Sequence, residues 1–171
     1  MVKLTSIVAA TEGGIIGDRG GIPWNLPDDM KFFKDTTTGS VVITGRVNYL
    51  SIPEKYRPLK GRYNIILSKS GYLLEGTDDG AVAVVDGVVP ALTKIRRLGR
   101  DSAFVIGGGI IYKAFEPYVD RVLLTVVHAD IPGDTGFDLD SIRGWNLVSE
   151  RHHPVDDRHA YAFTFKEFAR P

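Results

Sequence analysis

Short apolar runs punctuate the chain at Leu4–Ala10, Val41–Thr44, Asn64–Leu67, Ala81–Val85, Ala103–Ile106 and Val122–Val127. They are rich in β-branched side chains and bounded by Gly, Pro or Asp, which predicts strands buried on both faces. A different pattern closes the chain. Over Ala160–Phe168, Tyr161, Phe163 and Phe165 alternate with Ala162, Thr164 and Lys166, the period of a strand with two unlike faces. Helical patterns fill the intervals. Pro27–Thr37 opens with Pro in its first turn, carries Asp28 and Asp29 at its positive end, and stops near Gly39. Val88–Leu98 sets Leu92, Ile95 and Leu98 on one side and Lys94, Arg96 and Arg97 toward solvent, with Gly99 as its stop. Val47–Ser51 and Ile110–Phe115 read as shorter helices, the second ended by Pro117. This alternation predicts an α/β fold: a central, mostly parallel sheet of about eight strands with an antiparallel C-terminal edge and about four flanking helices.

Composition narrows the function classes. The 171 residues suit a single domain over 1–171, long enough to bury roughly 70% of its unfolded surface. Lys plus Arg and Asp plus Glu are 21 each, so the net charge is zero, which weighs against nucleic acid as a partner. A small anionic ligand needs only two or three basic groups and is compatible with neutrality. The absence of cysteine removes disulfides, thiolate metal sites and thiol nucleophiles. No apolar run approaches the ~18 residues of a membrane span, and the first residues lack a signal-peptide pattern. The expectation is a soluble cytoplasmic protein with no membrane partner, acting as a monomer. No repeat or low-complexity tract is present, and Gly71–Gly80 is a polar loop too short for a domain linker.

Three stretches carry chemistry. The first runs from Gly13 to Asp29, between a strand and a helix, with glycines at 13, 14, 17, 20 and 21. Its Ile15, Ile16, Ile22, Pro23 and Trp24 are too apolar for a disordered connection, which favours a closing loop over an irregular one. On the helix that follows, Asp29 shares a face with Met30 and Phe33, so its carboxylate points into apolar surroundings. Such a group is costly unless a ligand with a planar amidine-like edge pairs with it. The plainer reading is that Asp29 only favours the helix dipole, worth about 0.3–1 kcal/mol. Both readings stand on these residues alone.

The second stretch, Val41–Arg46, runs a strand into Gly45 and Arg46, where amides and a fixed charge suit an anion. An ordinary exposed Arg after a strand is the equal alternative. The third, Phe104–Tyr112, is a strand, the triplet Gly107-Gly108-Gly109 and a helix, a phosphate cradle of the dinucleotide-binding kind. It is not a GxGxxG fingerprint, and alone it says little. His152, His153 and His159 read as part of a solvated loop before the last strand, and no metal site is expected.

Together these segments resemble the dihydrofolate reductase family over nearly the whole chain. The matching stretches are Ile22–Asp29, Thr44-Gly45-Arg46, Arg57–Ser68, Val105–Tyr112, Leu124-Thr125 and Gly133–Phe137. The resemblance implies reduction of 7,8-dihydrofolate to tetrahydrofolate by hydride transfer from NADPH, in support of one-carbon and thymidylate metabolism, and makes the chain an antifolate target. It implies a catalytic group of Asp29, Trp24 and Thr125, with Asp29 holding the pterin, Thr125 behind it, and a water carrying the proton to N5. Ile7, Val8, Met30, Phe33, Ile52, Leu59, Ile106 and Tyr112 are expected to line the pterin and benzoyl pocket, and Arg62 to grip a carboxylate of the glutamate tail.

For the cofactor it implies Ala9, Ile16, Ile22 and Thr135 at the nicotinamide half, and Gly107, Gly108 and Gly109 at the pyrophosphate. Arg46, Ser68 and Lys69 would meet the 2′-phosphate, with Gly45, Val47, Asn48, Leu67, Ile106, Ile110, Ile111 and Tyr112 completing the site. The Gly13–Trp24 loop would close over the nicotinamide. Where relatives carry Thr or Ser, Asn48 stands as the expected helix cap, and Val47 and Ile110 supply no charge. Pro53–Tyr56 reads as a small insertion at the pocket rim. Two other functions remain: a related NADPH-dependent pyrimidine reductase of riboflavin synthesis, and a non-catalytic folate-binding protein. The first should lack the Pro-Trp-Asn-Leu-Pro-Asp-Asp run and Arg62, and the second would be supported by loss of Asp29 or the glycine triplet.

Overall fold

All six apolar runs become strands of one eight-stranded sheet, with the C-terminal alternating segment paired beside them. A computed structural model describes residues 1–70 and 80–171, so most of the Gly71–Gly80 loop lies outside the described residues. In chain order the elements are β1 (Lys3–Thr11), β2 (Ile15–Gly17), α1 (Pro27–Thr37), β3 (Val41–Gly45), α2 (Arg46–Ser51), β4 (Tyr63–Leu67) and β5 (Val82–Val85). These are followed by α3 (Val88–Arg97), β6 (Ser102–Gly107), α4 (Gly109–Phe115), β7 (Val119–Val127), β8 (Thr135–Gly136), β9 (Asn146–His153) and β10 (Phe163–Ala169). The sheet order is β5-β4-β3-β6-β1-β7-β10-β9, and β2 with β8 forms a separate ribbon. Every neighbour pair from β5 to β7 is parallel, whereas β10 runs antiparallel to both β7 and β9.

Burial explains the order. β3 is buried at all five positions, as the apolar run Val41–Ile43 requires of a strand between two parallel neighbours. The main core joins Leu4, Ile43, Ile65 and Val105 from the sheet to Ile95 of α3 and Phe115 of α4, all at 0% exposure. α3 ends where expected: Leu98 is its C-cap and Gly99 follows at φ +71°. A second cluster packs Leu26 against Phe163, Phe165 and Val127, and so seats the start of α1 on the β7–β10 end of the sheet. Among the described residues no helix is long and apolar enough to cross a membrane.

Three expectations need correction. The solvated loop expected around His152 and His153 is the end of strand β9. Every β9 residue but His153 is exposed, so this edge strand has no buried face and leaves no periodic signal. His159 is not solvated either, but lies at 1% exposure. The last strand begins at Phe163 rather than Ala160 and is buried on both faces there: Thr164 is covered by His128 Nε2 at 2.7 Å and His152 Nδ1 at 3.1 Å. The short ribbon of β2 and β8, too brief to show a pattern, was not anticipated.

Candidate active site

The carboxyl ends of β1 and β6, with the helix that follows β3, open onto a cleft of about 360 Å³, the position at which open α/β sheets bind ligands. Its wall comprises Val8, Ala9, Ile16, Ile22, Trp24, Asn25, Leu26, Asp29, Met30, Asn48, Ile106, Gly108 and Tyr112. All but Asn25 and Leu26 were expected as site residues from the sequence. They come from strand ends, the first loop, α1, α2 and the glycine triplet, so the sheet gathers groups far apart in the chain.

Asp29 is the one carboxylate in that wall. Pro27 and Leu26 set the start of α1 so that Asp29 turns toward β7, where the buried Thr125 donates from Oγ1 to Asp29 Oδ1 at 2.7 Å. Burial raises the Asp29 pKa, and the Thr125 hydroxyl opposes that rise without cancelling it. The face carrying Met30 is open to the cleft rather than packed inward: Met30 is 56% exposed. Phe32 packs inward instead, its ring 4.7 Å from that of Phe165.

Tyr112 closes the cleft from the α4 side. Its hydroxyl donates to Ile7 O at 2.7 Å, and burial, assisted by the Asp29 charge, pushes its pKa upward. Tyr112 is therefore a neutral, fixed wall that ties α4 to β1. The ring also explains Gly107: at φ +113° a Cβ there would sit 3.1 Å from the Tyr112 ring. A cis peptide joins Gly107 to Gly108. Gly108 lines the cleft, and a Cβ there would meet nothing within 4 Å. The triplet thus brings bare backbone to the cleft wall.

The β3 end is tied to the triplet through Thr44, whose Oγ1 donates to Gly107 O at 2.9 Å. Asn48 is not the cap expected of it. Helix α2 begins at Arg46 with Gly45 as N-cap, so Asn48 lies inside the first turn and donates Nδ2 to Thr44 Oγ1 at 2.9 Å. Arg46, Val47 and Ile110 are exposed, with Val47 at 82% and Ile110 at 81%. Beyond them Leu67 ends β4, Ser68 is buried and Lys69 is exposed. Gly45 has no room for a side chain, since a Cβ would come within 2.8 Å of Ile111.

On the other flank, Arg62 is held by Thr37 Oγ1 at 3.2 Å and Lys60 O at 3.0 Å, with its guanidinium 5.9 Å from the Phe33 ring. Partial burial lowers its pKa. Asn64, which sequence reasoning passed over, organises this rim: its side chain bonds Leu59 N, Leu59 O and Arg62 O at 3.0–3.1 Å. Ile52 packs with Tyr49 and Ile66 in a small cluster of its own. Pro53–Tyr56 is a short 3-10 turn with Pro53 as its cap. Arg57 anchors it by donating to Leu50 O at 2.9 Å and Ile52 O at 2.7 Å.

The first loop is latched onto the segment after β7. Asp134 N donates to Gly17 O, and Asp134 Oδ2 accepts from Arg19 N, both at 3.1 Å. Thr135, expected at the cofactor, donates its hydroxyl to Asp134 at 2.8 Å and so belongs to this latch. Its methyl nonetheless lies 3.3 Å from where a Gly109 Cβ would be.

A mostly parallel sheet with bare glycine backbone and a carboxylate of raised pKa in one cleft defines an α/β protein suited to bind a dinucleotide beside a second, polar-edged ligand. Comparison with known proteins is more specific: the family model for dihydrofolate reductase matches residues 3–170, and the chain belongs to that family. It is 35% identical to dihydrofolate reductase type 3 of Salmonella typhimurium over 169 residues, 98% of each chain. It is 33% identical to the dihydrofolate reductase of Haemophilus influenzae over 159 residues, 93% of each. A solved dihydrofolate reductase from Enterococcus faecalis, complexed with NADP(H) and RAB-propyl, superposes with a TM-score of 0.86. It is 29% identical and covers 98% of this chain and 96% of that one.

Proposed function

We propose that this chain reduces 7,8-dihydrofolate to tetrahydrofolate with NADPH, using Asp29 as the group that binds and orients the pterin. The observation that carries this reading is the placement of Asp29. It is a half-buried carboxylate with a raised pKa, backed by Thr125, in the same cleft as the side-chain-free backbone of Gly108. A carboxylate in such surroundings gains most from a ligand edge with two N–H donors, which the 2-amino group and ring nitrogen of a pterin supply.

The cofactor fits the residues present. Gly108 lines the cleft with no side chain and with open space around its Cβ position, which suits the approach of a pyrophosphate to backbone amides. Arg46 and Lys69 stand at the outer end, where a 2′-phosphate needs positive charge. When bound, NADPH supplies the hydride. The chain's own work is to bind, orient and exclude water. Val8, Met30, Ile106 and Tyr112 give the pterin an apolar slot. Ile16, Ile22 and Trp24 roof it from the latched loop. The hydride is received at C6 and the proton at N5, so the C6–N5 double bond is reduced. Asp29 favours the N5-protonated form electrostatically, and a water hands over the proton because the carboxylate is occupied with the opposite edge of the ring.

Arg62, fixed by Thr37 and the Lys60 carbonyl, is the group we assign to the glutamate carboxylate. One copy of the chain as a single catalytic domain carries every residue used here, so the proposal needs no second subunit, nucleic acid or membrane surface. The test is NADPH consumption with dihydrofolate against consumption with an aminopyrimidine ribitol phosphate. Turnover of dihydrofolate alone supports the reading; turnover of the pyrimidine alone would replace it with the related reductase.

A further inference from the structure

Helix α1 has an unusual start. Leu26, at the N-cap position, offers no side-chain acceptor. Pro27 has no amide hydrogen, and the amides of Asp29 and Met30 both donate to Leu26 O, at 3.0 and 3.1 Å. The Asp28 amide is the donor of this turn that leaves its own helix, and it goes to His159 Nε2 at 3.0 Å. An acceptor Nε2 carries no proton, so the proton of the ring is on Nδ1, facing Asp156 Oδ1 at 2.7 Å. A buried histidine 131 positions along the chain thus supplies the cap that the local sequence does not.

The Asp28 side chain is held by the same connection between β9 and β10. His153 Nε2 lies 2.9 Å from Asp28 Oδ2, and Arg158 Nη1 lies 3.2 Å from Oδ1. His153 Nδ1 faces Pro154 O at 2.7 Å, an atom that can only accept. With both nitrogens on acceptors, the imidazolium is the form that fits, and its ring stacks on Phe163 at 4.3 Å. The Asp28 contact raises the His153 pKa, and His153 in turn holds Asp28 below its usual value.

Asp28 is one peptide from Asp29. The Asp29 carboxylate is fixed at its oxygen by Thr125 on β7, while the backbone just upstream is fixed by the connection leading into β10, the neighbour of β7. We propose that His159 is a positioning residue for Asp29, with His153 and Arg158 completing a clamp that sets where the pterin-binding carboxylate stands. This rests on the reading of Asp29 given above.

Asp28, His153, Asp156 and His159 also bring one donor atom each within 4.8 Å of one another, the spacing of a metal site. The bonding argues for a clamp instead. The His159 Nε2 lone pair is taken by an amide, and a guanidinium already sits on the Asp28 carboxylate, so a cation would have to displace both.

The test compares His159→Leu with His159→Gln, whose side-chain oxygen can still accept from the Asp28 amide. Dihydrofolate KM, the pre-steady-state hydride-transfer rate, NADPH affinity and the titration of a 13C-labelled Asp29 carboxyl in the ligand-free protein are measured. In His159→Leu the account expects KM to rise and hydride transfer to fall by about tenfold, the effect of a small misplacement. NADPH affinity stays unchanged, the Asp29 titration moves, and His159→Gln recovers most of each. If both variants lose thermal stability alike but keep wild-type KM, hydride transfer and titration, His159 is only structural and the proposal fails. Should His159→Leu not fold, His153→Phe keeps the stack on Phe163 and removes the Asp28 contact. A raised KM with a displaced Asp29 titration then supports the clamp, and wild-type values overturn it. A Zn²⁺-dependent rise in Tm that His153→Phe abolishes would also overturn it in favour of a metal site. Asp29→Asn separates the two levels: if it leaves dihydrofolate binding intact, the reading of Asp29 itself is wrong, whatever the histidine variants do.

Discussion

Thr125 Oγ1 donates to Asp29 Oδ1 across 2.7 Å, joining a strand in the middle of the sheet to the first turn of α1. Thr125 is 3% exposed and pairs in register with Ala9 of β1, so the hydroxyl cannot swing away to water. The bond therefore both orients the carboxylate and offsets part of the penalty for burying it. Replacing Thr125 by Val keeps the shape and removes the donor. A lost bond to a charged group costs about 1.5–3 kcal/mol, so dihydrofolate KM should rise at least roughly tenfold. The Asp29 pKa should move further upward, read by carboxyl NMR. An unchanged KM would mean that the hydroxyl does not help to place Asp29.

The same burial makes Asp29 a liability to the ligand-free fold. A carboxyl whose folded pKa lies above its unfolded value costs stability once it ionises. The loss sets in as pH rises through 3.8, the ordinary value of a free Asp carboxyl, and is complete above the folded pKa. Asp29→Asn should therefore raise the ligand-free Tm at neutral pH by a few degrees, the response of a domain this size to about 1 kcal/mol. The gain should shrink as pH falls toward 3.8. A lower Tm for the variant at neutral pH would contradict the assignment of a desolvated carboxylate.

Gly107 and Gly108 are predicted to fail differently. Ala at 107 must adopt φ +113° and come within 3.1 Å of the Tyr112 ring, so it should destabilise the fold by roughly 1–2 kcal/mol or more. Ala at 108 meets nothing in the protein. It should leave Tm near wild type while weakening NADPH binding at least about tenfold, since its methyl occupies the approach to the backbone. Thermal melts and cofactor titrations on both variants check the pair.

Arg62 should report on one end of the substrate only. Its guanidinium is pre-set by Thr37 and the Lys60 carbonyl, a geometry a lysine cannot reproduce. Arg62→Lys should raise the KM for dihydrofolate by about tenfold or more, yet leave turnover of dihydropteroate, which lacks the glutamate, unchanged. Equal losses on both substrates would place Arg62 elsewhere in the mechanism.

What could be read from the sequence was whatever constrains the backbone locally or repeats. The buried runs of β3 and β4, the Pro start of α1, the Gly99 stop and the glycine triplet each leave a mark within a few residues. Asp29 was visible as an acidic residue on an apolar helix face, though a helix-dipole role explained it equally well until the matching motifs were set side by side. What stayed hidden depends on distance. β9 has no buried face and so no period, and the role of His159 exists only because the β9–β10 connection reaches back to α1. Asn48 was misread because α2 begins at Arg46: two residues further in, the same side chain bonds Thr44 instead of capping an amide.

The measurement that bears most directly on the whole account is the pH profile of hydride transfer from NADPH to dihydrofolate in wild type and Asp29→Asn. If Asp29 favours protonation of N5, the variant should collapse by orders of magnitude at neutral pH and recover in part in acid, where the substrate is protonated from solution. A variant that keeps wild-type activity at neutral pH, or loses activity equally at every pH, would contradict the role given to Asp29.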